Sequence, residues 1–368
     1  MKVLITGGGT GGHIYPAIAI ANKIKDEIKN AQILFVGTEK GLESQLVPNE
    51  GYRFKTITVS GFKRRLSKDT VKSAFDLFCG IKDAIKIIKD FKPDLVIGTG
   101  GYVCGPVVFV ASMLNIKTII HEQNVIPGVT NKILSKFVNK ILVSFDESKE
   151  YFNHSNKVVV AGNPVRKDFI HTDKNLSRKE LEIEEQNFVV LSFGGSRGAE
   201  KINDAMINVL NKLKMNKEIT IIHVTGSIHY KKVLEKLKQC NFSQNQHGIV
   251  KEYVHDMAKF MSAADFVICR SGAITLAEVT AMGLPSILIP SPYVTNNHQE
   301  LNARVLEKNG AAVLLKEKEL TGEEIVKLIN RFNKNRDELS EMAVKSKELE
   351  KINATDIIYS NILSILKS

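Results

Sequence analysis

Two glycine-rich segments, far apart in the chain, constrain the fold more than any other feature. They span residues 7–12 and 194–198. Each follows a short apolar run typical of a buried parallel strand, and each precedes a segment of helical periodicity, at 17–28 and 202–213. Glycine lets a backbone approach a ligand closely, and a helix start presents free N–H groups, so this arrangement suits phosphate. Two such loops predict two nucleotide-binding-type domains.

The similarity of the two halves extends beyond these loops. Residues 94–101 resemble residues 265–272, and another apolar strand follows in each half, at 117–121 and 286–290. The chain of 368 residues also exceeds the roughly 250–300 residues that one hydrophobic core supports. We therefore predict an α/β protein with two domains of similar plan, each built on a mostly parallel sheet.

Glycine and proline interrupt the pattern at Gly162-Asn163-Pro164, which marks a domain boundary. The predicted domains are residues 1–163 and 164–341. The remaining segment, 342–368, has a helical pattern, and we expect it to pack back on the first domain.

Composition narrows the class of protein. The net charge is +11, and residues 1–163 carry 22 Lys and Arg against 14 Asp and Glu. Such a basic half suits an anionic lipid surface, a phosphorylated substrate or a nucleic acid. No nucleic-acid-binding module is recognisable, so a nucleic-acid partner is not expected. The basic, apolar segment 62–66 is the better candidate for membrane contact, whereas 71–91 is amphipathic and typical of a packed crossover helix.

Several kinds of site are not indicated by the sequence. The four cysteines form no CxxC pair, no His/Cys cluster has metal-ligand spacing, and no Asp-x-Asp is present. No signal peptide precedes the first strand, and no apolar run reaches the ~18 residues of a membrane span. These features predict a reducing, cytoplasmic compartment.

His13 is the strongest catalytic candidate. It follows the first glycine loop directly, at a helix start, where an imidazole is placed to act as a general base. The alternative is a histidine that only caps or packs the helix. A G-x-G-x-x-G register begins at Gly7, and Glu39 is a substitute for the acidic residue that an NAD site requires at the end of its second strand.

Three further polar segments follow predicted strands. Glu278 lies one to two turns into the helix after Ser271-Gly272, where a carboxylate can accept hydrogen bonds from ribose hydroxyls or simply favour the helix start. The amide-rich segment 296–303 suits sugar hydroxyls, or caps a helix. The segment 121–124 places a histidine, a carboxylate and two amides at a strand end.

These motifs, in order along nearly the whole chain, resemble the MurG family of glycosyltransferase family 28. Its members are the bacterial N-acetylglucosaminyltransferases that convert lipid I to lipid II in peptidoglycan synthesis. The matching segments are residues 8–13, 100–102, 121–124, 162–166, 194–196 and 270–273, with Thr275, Glu278, Gln299 and Asn302. The resemblance implies a GT-B fold, in which two Rossmann-like domains with parallel sheets face an interdomain cleft.

The resemblance also implies the reaction and its residues. An inverting transfer moves N-acetylglucosamine (GlcNAc) from UDP-GlcNAc to the C4 hydroxyl of N-acetylmuramic acid (MurNAc) in lipid I. His13 is then the catalytic residue, and the acceptor side comprises Gly9, His13 and Tyr102. The residues expected to bind the donor are Thr10, Gly11, Gly12, Asn124, Arg166, Ser196, Ala273, Ile274, Thr275, Glu278, Gln299 and Asn302. No metal ion or other cofactor is implied.

The implied location is peripheral, on the cytoplasmic side of the anionic cell membrane, with cell-wall synthesis proteins as further partners. Arg197 and His298 depart from the family pattern. In the family an amide residue often follows the serine, where this chain has Arg197, and another amide stands where this chain has His298. On the residues alone, three other interpretations stay open: a UDP-GlcNAc 2-epimerase, a non-catalytic nucleotide-sugar-binding module and, more weakly, an NAD oxidoreductase.

Overall fold

The computed structural model describes residues 1–61 and 68–367. The chain divides into two compact units: unit 1 comprises Met1–Val165 and the segment that begins at Lys351, and unit 2 comprises Arg166–Glu350. The segment 62–66, predicted to contact a membrane, lies outside the described residues.

Unit 1 is built on a parallel sheet. Within the described residues it has seven strands in the order β3-β2-β1-β4-β5-β6-β7. The strands are β1 (Lys2–Thr6), β2 (Gln32–Gly37), β3 (Arg53–Thr56), β4 (Leu95–Gly98), β5 (Lys117–Glu122), β6 (Lys140–Val143) and β7 (Val158–Val160). The helices are α1 (Gly11–Glu27), α2 (Glu43–Asn49), α3 (Lys68–Phe91), α4 (Cys104–Met113) and α5 (Val129–Leu134).

Unit 2 repeats the plan with a six-stranded parallel sheet, in the order β10-β9-β8-β11-β12-β13. Its strands are β8 (Phe188–Phe193), β9 (Ile219–Val224), β10 (Gly248–Lys251), β11 (Phe266–Cys269), β12 (Ser286–Leu288) and β13 (Ala312–Leu314). Its helices are α6 (Lys174–Glu180), α7 (Glu200–Leu213), α8 (Tyr230–Gln239), α9 (Met257–Ala263), α10 (Ala273–Ala281), α11 (His298–Lys308), α12 (Gly322–Lys334) and α13 (Arg336–Glu348).

The predicted α/β class with two parallel sheets is confirmed. Central strands are apolar throughout, as in sheets covered on both faces; Val3, Leu4 and Ile5 of β1 are fully buried. One helix starts earlier than predicted: α1 begins at Gly11, not near residue 17, because Thr10 is already extended and serves as its N-cap. Gly11, Gly12 and His13 therefore belong to the first helical turn.

The C-terminal segment differs from the expected bounds. Residues 336–348 form α13, which packs on α10 and α12 of unit 2, and the chain joins unit 1 only at Lys351. The last helix, α14 (Ala354–Lys367), packs on α1, where Ile358 and Ile362 are buried in the same core. The helical periodicity from residue 342 onward covers two helices, and periodicity alone does not show that each buries its apolar face in a different unit.

In each unit the strand order reverses beside the first strand, next to β1 and next to β8. In open parallel sheets, ligands bind outside the carboxyl ends of the strands at such a switch point. The two glycine loops follow these two strands.

Candidate active site

In unit 1, the loops that follow four neighbouring strands are tied together in strand order. The loop after β2 binds the loop after β1 through Glu43 and Gly9, and Gly8 N–H donates to the Gly100 carbonyl after β4 at 3.2 Å. Gln123 Nε2 after β5 donates to the Thr99 carbonyl at 2.8 Å. Because each loop is held by its neighbour, the switch point of unit 1 is a preformed surface.

A buried carboxylate shapes the first glycine loop. Glu43 is 1% exposed; its Oε2 accepts from Gly9 N–H at 3.0 Å, and its Oε1 accepts from the N–H and the hydroxyl of Thr38 at 3.0 and 2.7 Å. A Cβ at Gly8 or Gly41 would come within 2.5 and 2.1 Å of this carboxylate. These glycines are therefore required by close approach to Glu43.

Sequence reasoning missed Glu43 and considered Glu39 instead. Glu39 is exposed, while Glu43, four residues later, is the acid that turns inward. The two glycines that flank its pocket, Gly37 and Gly41, were the only sequence signal that could have indicated a buried side chain there. Glu43 is thus occupied by donors of this chain and is not free to bind the ribose of an NAD cofactor.

The His13 imidazole lies in the first turn of α1, beside the loop after β4. Its Nδ1 is 2.9 Å from the Gly8 carbonyl oxygen, and a Cβ at Gly100 would lie 2.7 Å from its ring. The Thr99 hydroxyl donates to the His13 carbonyl at 2.8 Å. Because a carbonyl can only accept, neutral His13 carries its proton on Nδ1, and Nε2 keeps a lone pair.

The segment 121–124 is mostly turned inward. His121 Nε2 pairs with the Gly162 carbonyl at 2.9 Å, and burial lowers the pKa of His121. The Glu122 carboxylate accepts from Gly128 N–H at 3.0 Å and from Asn131 Nδ2 at 2.9 Å. Asn124 is half-buried at the end of this segment. The first three side chains therefore order the loop, and the Glu122 carboxylate also accepts from Asn124 Nδ2 at 3.3 Å.

The other unit 1 residues predicted for the site lie around β1 and β4. Thr10, Gly9 and Gly12 are exposed, and Gly11 is half-buried. Tyr102 is 38% exposed, and its ring lies 3.8 Å from where a Cβ of Gly9 would be. Unit 1 thus brings together Gly9–His13 and Tyr102, with Asn124 two strands away from β1.

The second glycine loop is held by close backbone approach. Gly198 and Gly226, after β8 and β9, both have positive φ, and a Cβ at Gly198 would lie 2.0 Å from the Thr225 carbonyl oxygen. Gly198 N–H closes the turn onto the Gly195 carbonyl at 2.9 Å. The loop tip, Gly195 to Arg197, is exposed. Ser196 is therefore presented to solvent by a loop whose base is locked.

Arg166 and Glu278 lie side by side in unit 2. Their closest side-chain atoms are 3.8 Å apart, and the guanidinium also lies over the Phe169 ring, 4.8 Å from its centroid. Glu278 is 16% exposed while Arg166 is 51% exposed. Burial raises the pKa of Glu278 to about 7, and the Arg166 charge acts in the opposite direction. The pair offers a carboxyl group and a solvent-facing cation at one place.

The start of α10 connects the pair Arg166 and Glu278 to the loop after β12. Ala273, Ile274 and Thr275 form the first turn of α10, which begins after the extended Gly272. The Ser271 hydroxyl donates to the Gln299 carbonyl at 2.8 Å, and the Gln299 side-chain oxygen accepts from Ser291 N–H at 2.8 Å.

Among the polar side chains predicted to bind the sugar-nucleotide donor, Asn302 is the buried one. It is fully buried, and its Nδ2 donates to the Ser271 carbonyl at 3.3 Å. Gln299 is half-buried beside it. Asn302 therefore holds the turn before α10, and Gln299 is the amide that a ligand can reach.

Two side chains that depart from the family pattern lie in exposed turns. Arg197 is exposed at the tip of the second glycine loop. His298 Nδ1 pairs with the Thr295 carbonyl at 2.8 Å, next to Asn296 and Asn297, which both have left-handed backbone. His298 is thus part of the turn that starts α11.

The described part of unit 2 also has a cavity of about 500 Å³, away from these residues. Its lining includes Asp265 and Pro285, which immediately precede β11 and β12, so it lies at the amino ends of the strands. None of the predicted donor residues lines it. In residues 1–61 and 68–367, no group of three His, Cys, Asp or Glu side chains is arranged to hold a metal ion.

The chain is similar to known proteins in sequence and in structure. The Glycosyltransferase family 28 N-terminal domain matches residues 3–143, and the Glycosyltransferase family 28 C-terminal domain matches residues 189–357. A relative from Thermoanaerobacter sp. (strain X514) is 53% identical over 365 residues, covering 99% of this chain and all of the relative. It is named UDP-N-acetylglucosamine--N-acetylmuramyl-(pentapeptide) pyrophosphoryl-undecaprenol N-acetylglucosamine transferase.

Two solved structures are informative. The crystal structure of Acinetobacter baumannii MurG is 28% identical, covers 99% of both chains and has a TM-score of 0.79. UDP-GlcNAc 2-epimerase from Neisseria meningitidis, bound to UDP-GlcNAc, covers 99% of this chain and 100% of its own, with a TM-score of 0.70. At 15% identity, the epimerase shares the fold alone.

Proposed function

Because this chain belongs to glycosyltransferase family 28, we propose that it transfers GlcNAc from UDP-GlcNAc to the MurNAc unit of lipid I, giving lipid II for peptidoglycan synthesis. The observation that carries this proposal is 53% identity, over 99% of the chain, to a relative named for that reaction. Relatives at 45–50% identity have the same name.

The reaction is an inverting displacement. The C4 hydroxyl oxygen of MurNAc attacks the anomeric carbon of GlcNAc, a new C–O bond forms, and the bond to the UDP oxygen breaks. UDP leaves with the electron pair, and the hydroxyl proton passes to His13 Nε2. The contact between His13 Nδ1 and the Gly8 carbonyl leaves Nε2 as the acceptor of that proton.

Unit 2 supplies the groups for the donor. The exposed Gly195–Arg197 tip and the Arg166 guanidinium face the charge that develops on the departing diphosphate. Glu278 accepts hydrogen bonds from the ribose hydroxyls, and Gln299 contacts the GlcNAc hydroxyls. Ala273–Thr275 add backbone donors at the start of α10, which Asn302 and Ser271 hold in place.

The proposed reaction requires no metal ion or other cofactor. The positive charge that a leaving diphosphate needs comes from Arg166 and from backbone N–H groups of the second glycine loop. The test is transfer of labelled GlcNAc to a lipid I analogue in the presence of EDTA. Product supports both the reaction and its independence of metal; product only after added Mg²⁺ contradicts the latter.

The same assay separates this function from its alternatives. Release of UDP should depend on the lipid acceptor, because the C4 hydroxyl of its MurNAc unit is the nucleophile of the proposed step. Interconversion of free UDP-GlcNAc without lipid contradicts the proposal in favour of an epimerase. Tight UDP binding with no turnover in the presence of lipid contradicts it in favour of a binding module.

The protein acts at the cytoplasmic face of the cell membrane, attached peripherally, because its acceptor is lipid-linked. No helix of the described residues is long and apolar enough to cross a bilayer. Unit 1 exposes large apolar side chains on two helices that both pack on α4: Phe75 is 67% and Phe78 55% exposed on α3, and Ile133 is 57% exposed on α5. Lys82 lies over the Phe78 ring, 4.6 Å from its centroid, so a cation accompanies the apolar side chains of α3.

Membrane attachment is tested with anionic vesicles and a Phe75→Ser/Phe78→Ser variant. We expect the variant to bind several-fold more weakly, with unchanged affinity for UDP. A Lys63→Glu/Arg64→Glu variant tests the segment 62–66 in the same way. Vesicle binding equal to that of the unmodified chain in both variants contradicts these contacts.

A further inference from the structure

The Glu43 carboxylate and the His13 imidazole are joined through a single peptide group. Glu43 Oε2 accepts from Gly9 N–H at 3.0 Å, and His13 Nδ1 lies 2.9 Å from the Gly8 carbonyl oxygen. This carbonyl and this N–H belong to the same planar trans peptide, which points them in opposite directions. Carboxylate, peptide and imidazole therefore form one continuous hydrogen-bonded row.

We propose that this row is a carboxylate–peptide–imidazole relay, in which Glu43 is a positioning residue for His13. The proposal rests on the proposed function, in which His13 is the base. A carboxylate polarises the peptide that it binds, and hydrogen bonds in a chain strengthen one another. The Gly8 carbonyl thereby becomes a better acceptor for Nδ1–H, and the tautomer with a free Nε2 is favoured.

The relay is held rigidly at its carboxylate end. Glu43 is 1% exposed, and the Thr38 N–H and hydroxyl occupy its Oε1. Three glycines, Gly8, Gly37 and Gly41, pack so closely that a Cβ on any of them would lie within 2.5 Å of the Glu43 side chain. A buried carboxylate needs donors around it, and here one of those donors is the peptide that orients the imidazole.

The relay also divides the first glycine loop into two parts. Gly8 N–H donates to the Gly100 carbonyl at 3.2 Å, and Gly9 N–H donates to Glu43. Neither N–H is available to an acceptor phosphate. The beginning of the loop therefore positions His13, and anion binding is left to the exposed start of α1 at Thr10 and Gly12.

The proton balance of the step is simple. The acceptor hydroxyl proton moves to Nε2, and the Nδ1 proton stays on the imidazole, hydrogen-bonded to the Gly8 carbonyl. Glu43 gains and loses no proton in this step, and it stabilises the imidazolium through the peptide. The Nε2 proton returns to solvent after the product leaves.

The first test is Glu43→Gln, which preserves shape. Both carboxylate oxygens accept hydrogen bonds, and an amide nitrogen cannot, so one of the two links is lost. We expect kcat to fall about 10- to 100-fold, with the KM for UDP-GlcNAc unchanged. This loss is a part of the roughly 10²–10⁴-fold contribution of a positioned base. Glu39→Gln, at an exposed acid in the same loop, is the matched control. Equal kcat in the two variants overturns the relay.

A double-mutant cycle distinguishes the relay from general damage to the loop. If Glu43 acts through His13, Glu43→Gln should lower kcat no further in a His13→Ala background. If the two losses multiply, Glu43 acts independently of His13 and the proposal is wrong.

The imidazole tautomer provides a readout that needs no substrate. In ¹⁵N-histidine NMR at pH 8, the signals lost in His13→Ala identify His13, and we expect Nδ1 to be protonated and Nε2 bare. Glu43→Gln should shift the population toward Nε2–H. Thr38→Val, which removes another donor to Glu43 and keeps the Gly9 link, should not. An equal shift in both variants, or none in Glu43→Gln, overturns the relay, whereas absent transferase activity in the unmodified chain defeats only the proposed function.

Discussion

The two glycine loops of this chain start from the same design and are stabilised in different ways. The first, after β1, is held by a buried carboxylate and carries an imidazole in its helical turn. The second, after β8, is held by backbone approach between Gly198 and Thr225 and exposes a hydroxyl and a guanidinium at its tip. The first loop thus orients a base, whereas the second presents donors to an anion. The difference lies in what each loop packs against, and not in the glycines themselves.

The largest expected effect separates the two loops by rate. His13→Ala should lower kcat by about 10²–10⁴-fold, because a positioned general base contributes that much, and leave the Kd of UDP nearly unchanged. Steady-state transfer and calorimetric UDP binding measure the two quantities. His154→Ala, at an exposed histidine of the same unit, is the control. Unchanged kcat in His13→Ala would remove His13 from the role of base.

The second prediction compares two glycines of the second loop. Gly198 and Gly195 both have positive φ, but a Cβ at Gly198 would lie 2.0 Å from a carbonyl oxygen, and one at Gly195 meets nothing within 4 Å. Gly198→Ala should therefore cost roughly 3 kcal/mol or more of stability and abolish UDP binding, since strain and overpacking add. Gly195→Ala should cost only about 1–2 kcal/mol, the backbone term alone.

Urea denaturation of both variants checks this pair. Similar free energies of unfolding would show that close approach at Gly198 does not hold the loop. The first loop would then remain the only one with a defined anchor.

The third prediction concerns Glu278, a residue without a counterpart at the first loop. Burial raises the pKa of Glu278 from 4.5 to about 7. Between pH 4.5 and 7, the folded chain therefore keeps a proton on Glu278 that the unfolded chain has lost. Stability therefore falls as pH rises from 4.5 to 7, by up to about 3 kcal/mol. Glu278→Gln should remove this loss, stabilising the chain at pH 8 and changing little at pH 4.5, while weakening UDP binding.

Glu300 in the same unit serves as a control of opposite sign. Hydrogen bonds from Asn297, Arg304 and Lys316 lower its pKa to about 2. Its contribution is present above pH 4.5 and is lost as pH falls toward 2, so Glu300→Gln should destabilise the chain at pH 8. A Glu278→Gln variant that is also less stable at pH 8 would contradict the assignment of Glu278 as a buried, costly carboxyl group.

Much of the fold was predictable because it follows from local patterns of apolar residues and glycines. Apolar runs followed by glycine loops predict parallel strands at a binding edge, and the repeat of this pattern predicts two units. The end of the chain was harder, because α13 and α14 have similar periodicity and only tertiary packing assigns the first to unit 2 and the second to unit 1.

The positions of His13 and Ser196 after β1 and β8 were predictable, because a glycine-rich run follows each of these strands, whereas their roles stay predictions. The burial of individual side chains was not predictable. Asn302 and Gln299 are both amides three residues apart, and only packing turns Asn302 inward. Glu43 was missed because its partner Gly9 lies 34 residues earlier, in the loop after β1. A side chain that acts through a backbone peptide group produces no characteristic residue spacing in the sequence.

The smallest predicted effect tests whether the second loop acts on the donor alone. The exposed Ser196 hydroxyl, between Gly195 and Arg197, is placed to donate to a diphosphate oxygen. Ser196→Ala should raise the KM for UDP-GlcNAc about tenfold, as expected for one hydrogen bond to a charged group, with kcat and stability nearly unchanged. Ser227→Ala, at an exposed serine after β9, controls for loss of a hydroxyl nearby. A fall in kcat with constant KM would instead give the second loop a part in the chemical step, and the division of roles between the two loops would fail.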